Sequence, residues 1–166
     1  PLPYIWETCM TMGDQWSYKP DDKYKSTHQL IHLLVNIVAK GGNFLLNVGP
    51  DAQGRLPQPA LVRMKEIGAW MQVNGDALYG TRPIAPYKIG HVCLTKKANT
   101  IYAICLASEG QAEPPAEIEI SAIQKVQTVR MLGSNTRITW DATEKGLILH
   151  VPEKTRTSPP CGHAWS

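Results

Sequence analysis

The sequence offers little with which to cross-link itself, span a membrane or grip a polyanion. Its four cysteines, Cys9, Cys93, Cys105 and Cys161, are widely spaced, and no two form a CxxC pair. That spacing argues against a zinc site and favours buried apolar thiols over a disulfide framework. No run of about 18 apolar residues is present, so no membrane-spanning helix is expected. Lys and Arg together number 17 against 14 Asp and Glu, a net charge of +3 with no basic cluster to sharpen it. A nucleic-acid partner is therefore not expected. No Asn-x-Ser/Thr sequon occurs, so glycosylation gives no hint of compartment. The opening residues Pro1–Glu7 lack the basic start and apolar stretch of a secretion signal. The chain is accordingly expected to begin inside a domain, with any targeting signal upstream. What is present fits a folded chain: 43% hydrophobic and 19% charged over 166 residues, enough for one ordinary domain or two small ones.

The rest of the chain is organised around Gly41-Gly42-Asn43-Phe44-Leu45-Leu46-Asn47-Val48-Gly49-Pro50-Asp51. Its short apolar run suits a strand covered on both faces, as in a parallel sheet. Gly41 and Gly42 stop the helix before it, and Gly49-Pro50 turn the chain outward after it. Asn47 interrupts the run near the strand's carboxyl end, the end that faces ligands in α/β folds. It either ties down loop backbone by hydrogen bonds or lines a site.

Ahead of this stretch, Tyr4–Met12 reads as a strand with Glu7 inside it. A carboxylate there is costly to bury without a partner, so Glu7 is a surface residue, an ion-pair member or a site residue. The polar loop Gly13–Asp22 carries two aromatics, Trp16 and Tyr18, which either bind a ligand or pin the loop down. Ser26–Lys40 is a helix, with Ser26 and Gln29 forming a capping box and Leu30, Ile31, Leu34, Ile37 and Val38 on one face. His28 and His32 lie four apart on it, without a third ligand or an HExxH pattern, and read as part of a solvated face. Gln53-Gly54-Arg55 is a turn. A second helix spans about Pro59–Val73, with Leu61, Met64, Ile67, Trp70 and Met71 as a core-packing stripe. Strand, helix, strand, helix is the grammar of a parallel sheet, and amounts to about two of the eight units of a (β/α)8 barrel.

Past Pro83-Ile84-Ala85-Pro86 the helical period disappears. Six β-rich runs follow: Lys88–Thr95, Thr100–Ala107, Glu117–Ser121, Val126–Leu132, Arg137–Trp140 and Leu147–Val151, with Gly162–Trp165 as one more short strand. Strands at this spacing, broken by turn signals, predict an antiparallel sandwich. A boundary near residue 82 divides the chain into 1–82 and 83–166. The second part should bury its two inner faces by itself, while the first leaves strand edges open.

Five pieces now carry a resemblance by their order and spacing. They are Trp6-Glu7-x-Cys9, Trp16-x-Tyr18, Gly41–Pro50, Gly68-x-Trp70 and Asn74-Gly75-Asp76-Ala77-Leu78-Tyr79. Together with Ile101–Ile104 and Met131-Leu132-Gly133, they resemble the α-L-fucosidases of glycoside hydrolase family 29 over essentially the whole chain. The resemblance implies an α/β plus all-β architecture: residues 1–82 as the last two βα units of a (β/α)8-like catalytic barrel, and 83–166 as its C-terminal β-sandwich. It implies retaining, exo-acting release of terminal α-L-fucose by two carboxyl groups, with no cofactor and no metal. No residue here matches the family's Asp nucleophile, so the isolated chain is expected to be inactive. Glu7 is carried over as an acid/base candidate or as a substrate-facing carboxylate at the barrel's top. Trp16 matches the family's sugar-facing aromatic, and Trp6 and Tyr18 accompany it as substrate-binding candidates. Ser17 stands where many members have Gly. The implied partners are a fucosylated glycan, the remaining barrel segment and, possible for this family, further copies of the chain. Secreted, periplasmic or lysosomal placement is implied as well. The competing readings are a non-catalytic carbohydrate-binding module and an inactive truncated fragment.

Overall fold

In the computed structural model, residues 2–108, 115–121, 123 and 125–153 are described, together with the backbone of 163–165. Cys161 and most of the Gly110–Pro115 turn lie outside them. Strand β1 (Trp6–Thr11) leads into helix α1 (Thr27–Ala39), strand β2 (Gly42–Asn47), helix α2 (Gln58–Asn74) and a single 3-10 turn at Gly75–Ala77. β1 and β2 pair in parallel, Trp6 beside Gly42 through Thr11 beside Asn47. The expected strand is two residues shorter at its start: Tyr4 and Ile5 stand 64% and 90% exposed, outside the ladder. Helix α1 starts where its cap chemistry dictates. The Ser26 hydroxyl accepts from the Gln29 N–H, and the Gln29 side chain accepts from the Ser26 N–H at 2.9 Å. Gly41, at φ 82°, takes the left-handed turn that releases the chain into β2.

Strand alternation sorts the parallel pair into two faces. Met12 and Leu46 pack beneath Leu30, Ala60 and Ile67 of the two helices. The other face carries Glu7, Cys9 and Thr11 beside Asn43, Leu45 and Asn47, and Leu45 is half exposed. α2 departs from expectation on one flank. Trp70 is buried, yet Leu61 and Met64 are 42% and 47% exposed, because no described element covers that side.

From Arg82 onward every strand pairing is antiparallel. Strands β3 (Arg82–Ile89), β4 (Val92–Lys97), β5 (Thr100–Cys105) and β9 (His163–Trp165) form one sheet in that order. Strands β6 (Glu117–Ile120), β8 (Gly146–His150) and β7 (Thr139–Thr143) form the other. The single run expected over Lys88–Thr95 is two strands. Gly90, at φ 54°, turns the chain with His91, so that Ile89 pairs Val92. The strand expected at Val126–Leu132 is absent. That segment holds only isolated bridge positions at Arg130 and Met131, Arg130 pairing with Arg137, yet still buries Val129 and Met131. β7 runs later than expected because its hairpin closes at Thr143, whose hydroxyl bonds both the N–H and the carbonyl of Gly146.

Two cores result. Val92, Leu94, Ala103 and Cys105 meet Ile118, Ile120, Leu147 and Leu149 between the sheets. The opposite face of β4 and β5 presents Cys93, Tyr102, Ile104 and Leu106 to Ile31, Val35 and Ala39 of α1 and to Trp70 and Leu78. β4 and β5 are therefore apolar on both faces and form the middle layer of three. Each fully buried side chain of this size contributes about 1.5–3 kcal/mol.

Candidate functional site

The carboxyl ends of β1 and β2 carry a loop, residues 13–25, that local chemistry holds in one shape. Its base is closed by the Lys25 N–H donating to the Met12 carbonyl at 2.9 Å. The Lys25 ammonium reaches back to the carbonyls of Thr11 and Gly13 at 2.9 and 3.2 Å. Inside the loop the Asp22 carboxylate accepts the N–H groups of Asp14, Gln15 and Lys23. Gly13 lies against that carboxylate, and an added Cβ there would fall 2.0 Å from it. From α2, Arg63 donates to the Lys25, Pro59 and Tyr24 carbonyls and lies over the Tyr24 ring at 5.5 Å. Burial, then the charge of Asp22, raises the Tyr24 pKa.

Strand β2 binds the same loop from its own carboxyl end. The Asn47 side-chain amide donates to the Trp16 carbonyl at 2.8 Å. Of the two roles open to Asn47, the tie to loop backbone is the one observed. Gly49 lets the loop come close: a Cβ there would sit 2.5 Å from the Tyr18 nitrogen. The next turn is built around Asp51, which accepts from the Gln53 and Arg55 N–H groups at 2.9 Å and pairs with the Arg55 guanidinium. The Arg55 N–H foremost holds the Asp51 carboxyl below its usual range. Asp51 thus caps a turn.

The result is a braced loop with its two aromatics outward, Trp16 at 62% and Tyr18 at 44% exposure. Glu7 is exposed on the open face of the same strand pair and is the one acidic residue in either strand. It occupies the second position of β1. Its register partner Asn43 lies four residues before Asn47, about 13 Å along the strand. Glu7 therefore sits toward the amino end of the pair and not at the rim expected for it. Trp6 points to the other face, its ring across Gly42, where an added Cβ would fall 2.5 Å from it. The arrangement thus brings Trp16 and Tyr18 together, sets Glu7 below them, and separates Trp6. An exposed indole on a braced loop offers a flat apolar partner to a sugar face, and an exposed carboxylate can exchange a proton. Lys25 and Arg63, which brace the loop, had no sequence signal: nothing in their spacing relates them to Thr11 or Tyr24.

His28 and His32 do not lie on a solvated face. They turn toward the sheet, where His28 Nε2 meets the Ala107 carbonyl at 2.7 Å and His32 Nε2 is buried. Among the described residues no three His, Cys, Asp or Glu side chains converge as metal ligands.

Comparison with known proteins extends over both parts of the chain. Residues 2–76 match the family model described as Alpha-L-fucosidase, and residues 88–166 match the one described as Alpha-L-fucosidase C-terminal domain. The chain is 31% identical over 168 residues to the alpha-L-fucosidase of Branchiostoma floridae, covering 96% of this chain and 37% of that protein. The crystal structure of Thermotoga maritima alpha-fucosidase superposes with a TM-score of 0.86 at 30% identity, covering 99% of this chain and 39% of that one. The same enzyme in complex with fucose gives a TM-score of 0.82 at 28% identity, again over 99% and 39%. The chain thus spans under two fifths of the length of these relatives.

Proposed function

The chain belongs to the α-L-fucosidase family, and from that premise we propose that it is the C-terminal part of a retaining, exo-acting glycoside hydrolase that releases terminal α-L-fucose from glycans. The observation that carries the proposal is the order of the two family models along one chain. It agrees with a parallel β-α-β-α segment followed by two facing antiparallel sheets. On this reading β1-α1-β2-α2 supplies the last two βα units of a (β/α)8-like barrel, and the sandwich begins near residue 82.

The open face of β1 and β2 then looks into the barrel, and the loop of Trp16 and Tyr18 stands at the rim where such barrels bind substrate. Trp16 stacks on the apolar face of fucose that includes its C6 methyl. Tyr18 flanks it, and Trp6 packs beneath the strands. Retention needs two carboxyl groups roughly 5–5.5 Å apart. Glu7 is the carboxylate this chain brings to the lumen, and the Asp nucleophile comes from an upstream strand. The upstream barrel segment is the partner that covers Leu45, Leu61 and Met64.

The test uses the intact polypeptide with an aryl α-L-fucoside, followed by proton NMR. Release of α-L-fucose as the first product is expected. Release of the β-anomer would overturn retention. Fucose binding without turnover would overturn the enzyme in favour of a binding module.

A further inference from the structure

We propose that the stacked pair His28–His32 is an acid-sensitive latch that holds α1, and through it the loop of Trp16 and Tyr18, against the β4–β5 sheet. The two rings lie 3.9 Å apart between centroids, tilted by 40°. His28 fastens the first helical turn to the end of β5 by donating from Nε2 to the Ala107 carbonyl at 2.7 Å. His32, one turn on, has its Nε2 sealed from water and without a partner among the described residues. A proton arriving there gains no hydrogen bond and loses its hydration.

Among the described residues, the groups that act on that proton offer it no negative charge to pair with. His28 faces it from α1, Lys88 from β3, and His91 from the β3–β4 turn, and all three are bases. Asn36, on α1, spends its side-chain amide N–H on the His32 carbonyl at 2.7 Å and its oxygen on the Lys88 ammonium at 3.1 Å. The Cys93 thiol of β4, 3.7 Å from the same oxygen, is kept neutral by burial. Burial foremost, then His28, Lys88 and His91, depress the His32 pKa to about 4.

The sign follows from linkage. An unfolded histidine takes its proton near pH 6.5, and His32 in place takes it near 4. The docked state is at full strength above about 6.5, weakens as the pH falls through that window, and has lost this contribution below about 4. What loosens is connected to the loop by covalent neighbours. Ser26 caps α1, and Lys25, directly before it, closes the loop through Met12 and ties Thr11 and Gly13.

The test is amide hydrogen exchange on the intact protein at about pH 7.5 and 4.5, read as protection factors for residues 27–39 with β8 as internal reference. Protection of α1 should fall roughly tenfold on acidification, whereas β8, whose His150 contacts are at full strength at the lower pH, should show no fall. His32→Gln should remove most of that loss. Lys88→Gln, at an exposed position, should reduce it by letting His32 protonate more easily, and it keeps the test open should His32→Gln not fold. A flat response in the parent, a His32→Gln loss equal to the parent's, or an undiminished loss in Lys88→Gln would overturn the latch.

Discussion

Leu45, Leu61, Met64 and Tyr79 stand 42–67% exposed before residue 81, whereas Leu94, Ile104, Ile138 and Leu147 are 0–2% exposed after it. Every large hydrophobic that is exposed among the described residues precedes Thr81. Two sheets can seal a core between their inner faces, and here they do. A pair of parallel strands with two helices can seal only one strand face, and the other stays open until further strands arrive. The division is nevertheless not clean. α1 belongs by sequence to the open half, yet Ile31, Val35 and Ala39 close the outer face of β4 and β5. A sandwich cut free at residue 82 would expose Cys93, Tyr102, Ile104 and Leu106. The two inner faces close on each other as expected, and the outer face of β4 and β5 is covered by α1.

The largest effect that can break this contrast is on stability. Leu94→Ala should destabilise the 166-residue chain by about 2–5 kcal/mol, while Leu61→Ala should stay within about 0.5 kcal/mol. Urea denaturation of both variants reads the difference, and equal losses would dissolve the contrast. On the proposed reading, Leu61→Ala should become costlier in the full-length protein, where an upstream barrel segment would cover it.

Next in size is the loop. Trp16→Ala in the intact enzyme should lower kcat/KM by a factor corresponding to about 1–3 kcal/mol, from lost apolar contact with the sugar. Unchanged kinetics would leave Trp16 as a loop anchor. Asn47→Ala should cost less, about 0.5–1.5 kcal/mol, because it removes one hydrogen bond to the Trp16 carbonyl and leaves the indole in place. If Asn47→Ala proved costlier than Trp16→Ala, Asn47 would itself touch substrate.

The smallest effect lies on the outer face of the sealed half. His150 donates to Asp141 at 2.8 Å and lies 3.4 Å from Glu117, and the bond to Asp141 foremost raises its pKa. The contribution of this triad is fully present below the unfolded pKa near 6.5 and is lost as the pH rises through the higher folded value. An NMR titration should show Asp141→Asn returning His150 toward 6.5. No change would mean that the contact is not formed in solution.

Much of this architecture was legible in the residues. The Ser26–Gln29 box, the glycines flanking β2 and the loss of helical period after Pro83 are local signals, and each marks the element it announced. What was not legible depends on partners distant in sequence. Gly90-His91 splits an apparently continuous run because β4 folds back on β3. Leu61 and Met64 show helical period whether or not a neighbour covers them. His28 and His32 look like a polar face until the sheet that receives them is known. Asn47 was legible as a choice between two roles, and the position of Trp16, set by chain folding, decides it. The depth of Glu7 was hidden because strand periodicity does not reveal where a ladder begins.

The central claim is that this chain completes a fucosidase barrel that it does not make alone. Its most direct measurement is hydrolysis of an aryl α-L-fucoside by the purified 166-residue chain, beside the same chain joined to the residues encoded upstream. Turnover by the joined protein and none by the isolated chain is the predicted result. Turnover by the isolated chain, abolished by Glu7→Gln, would contradict it.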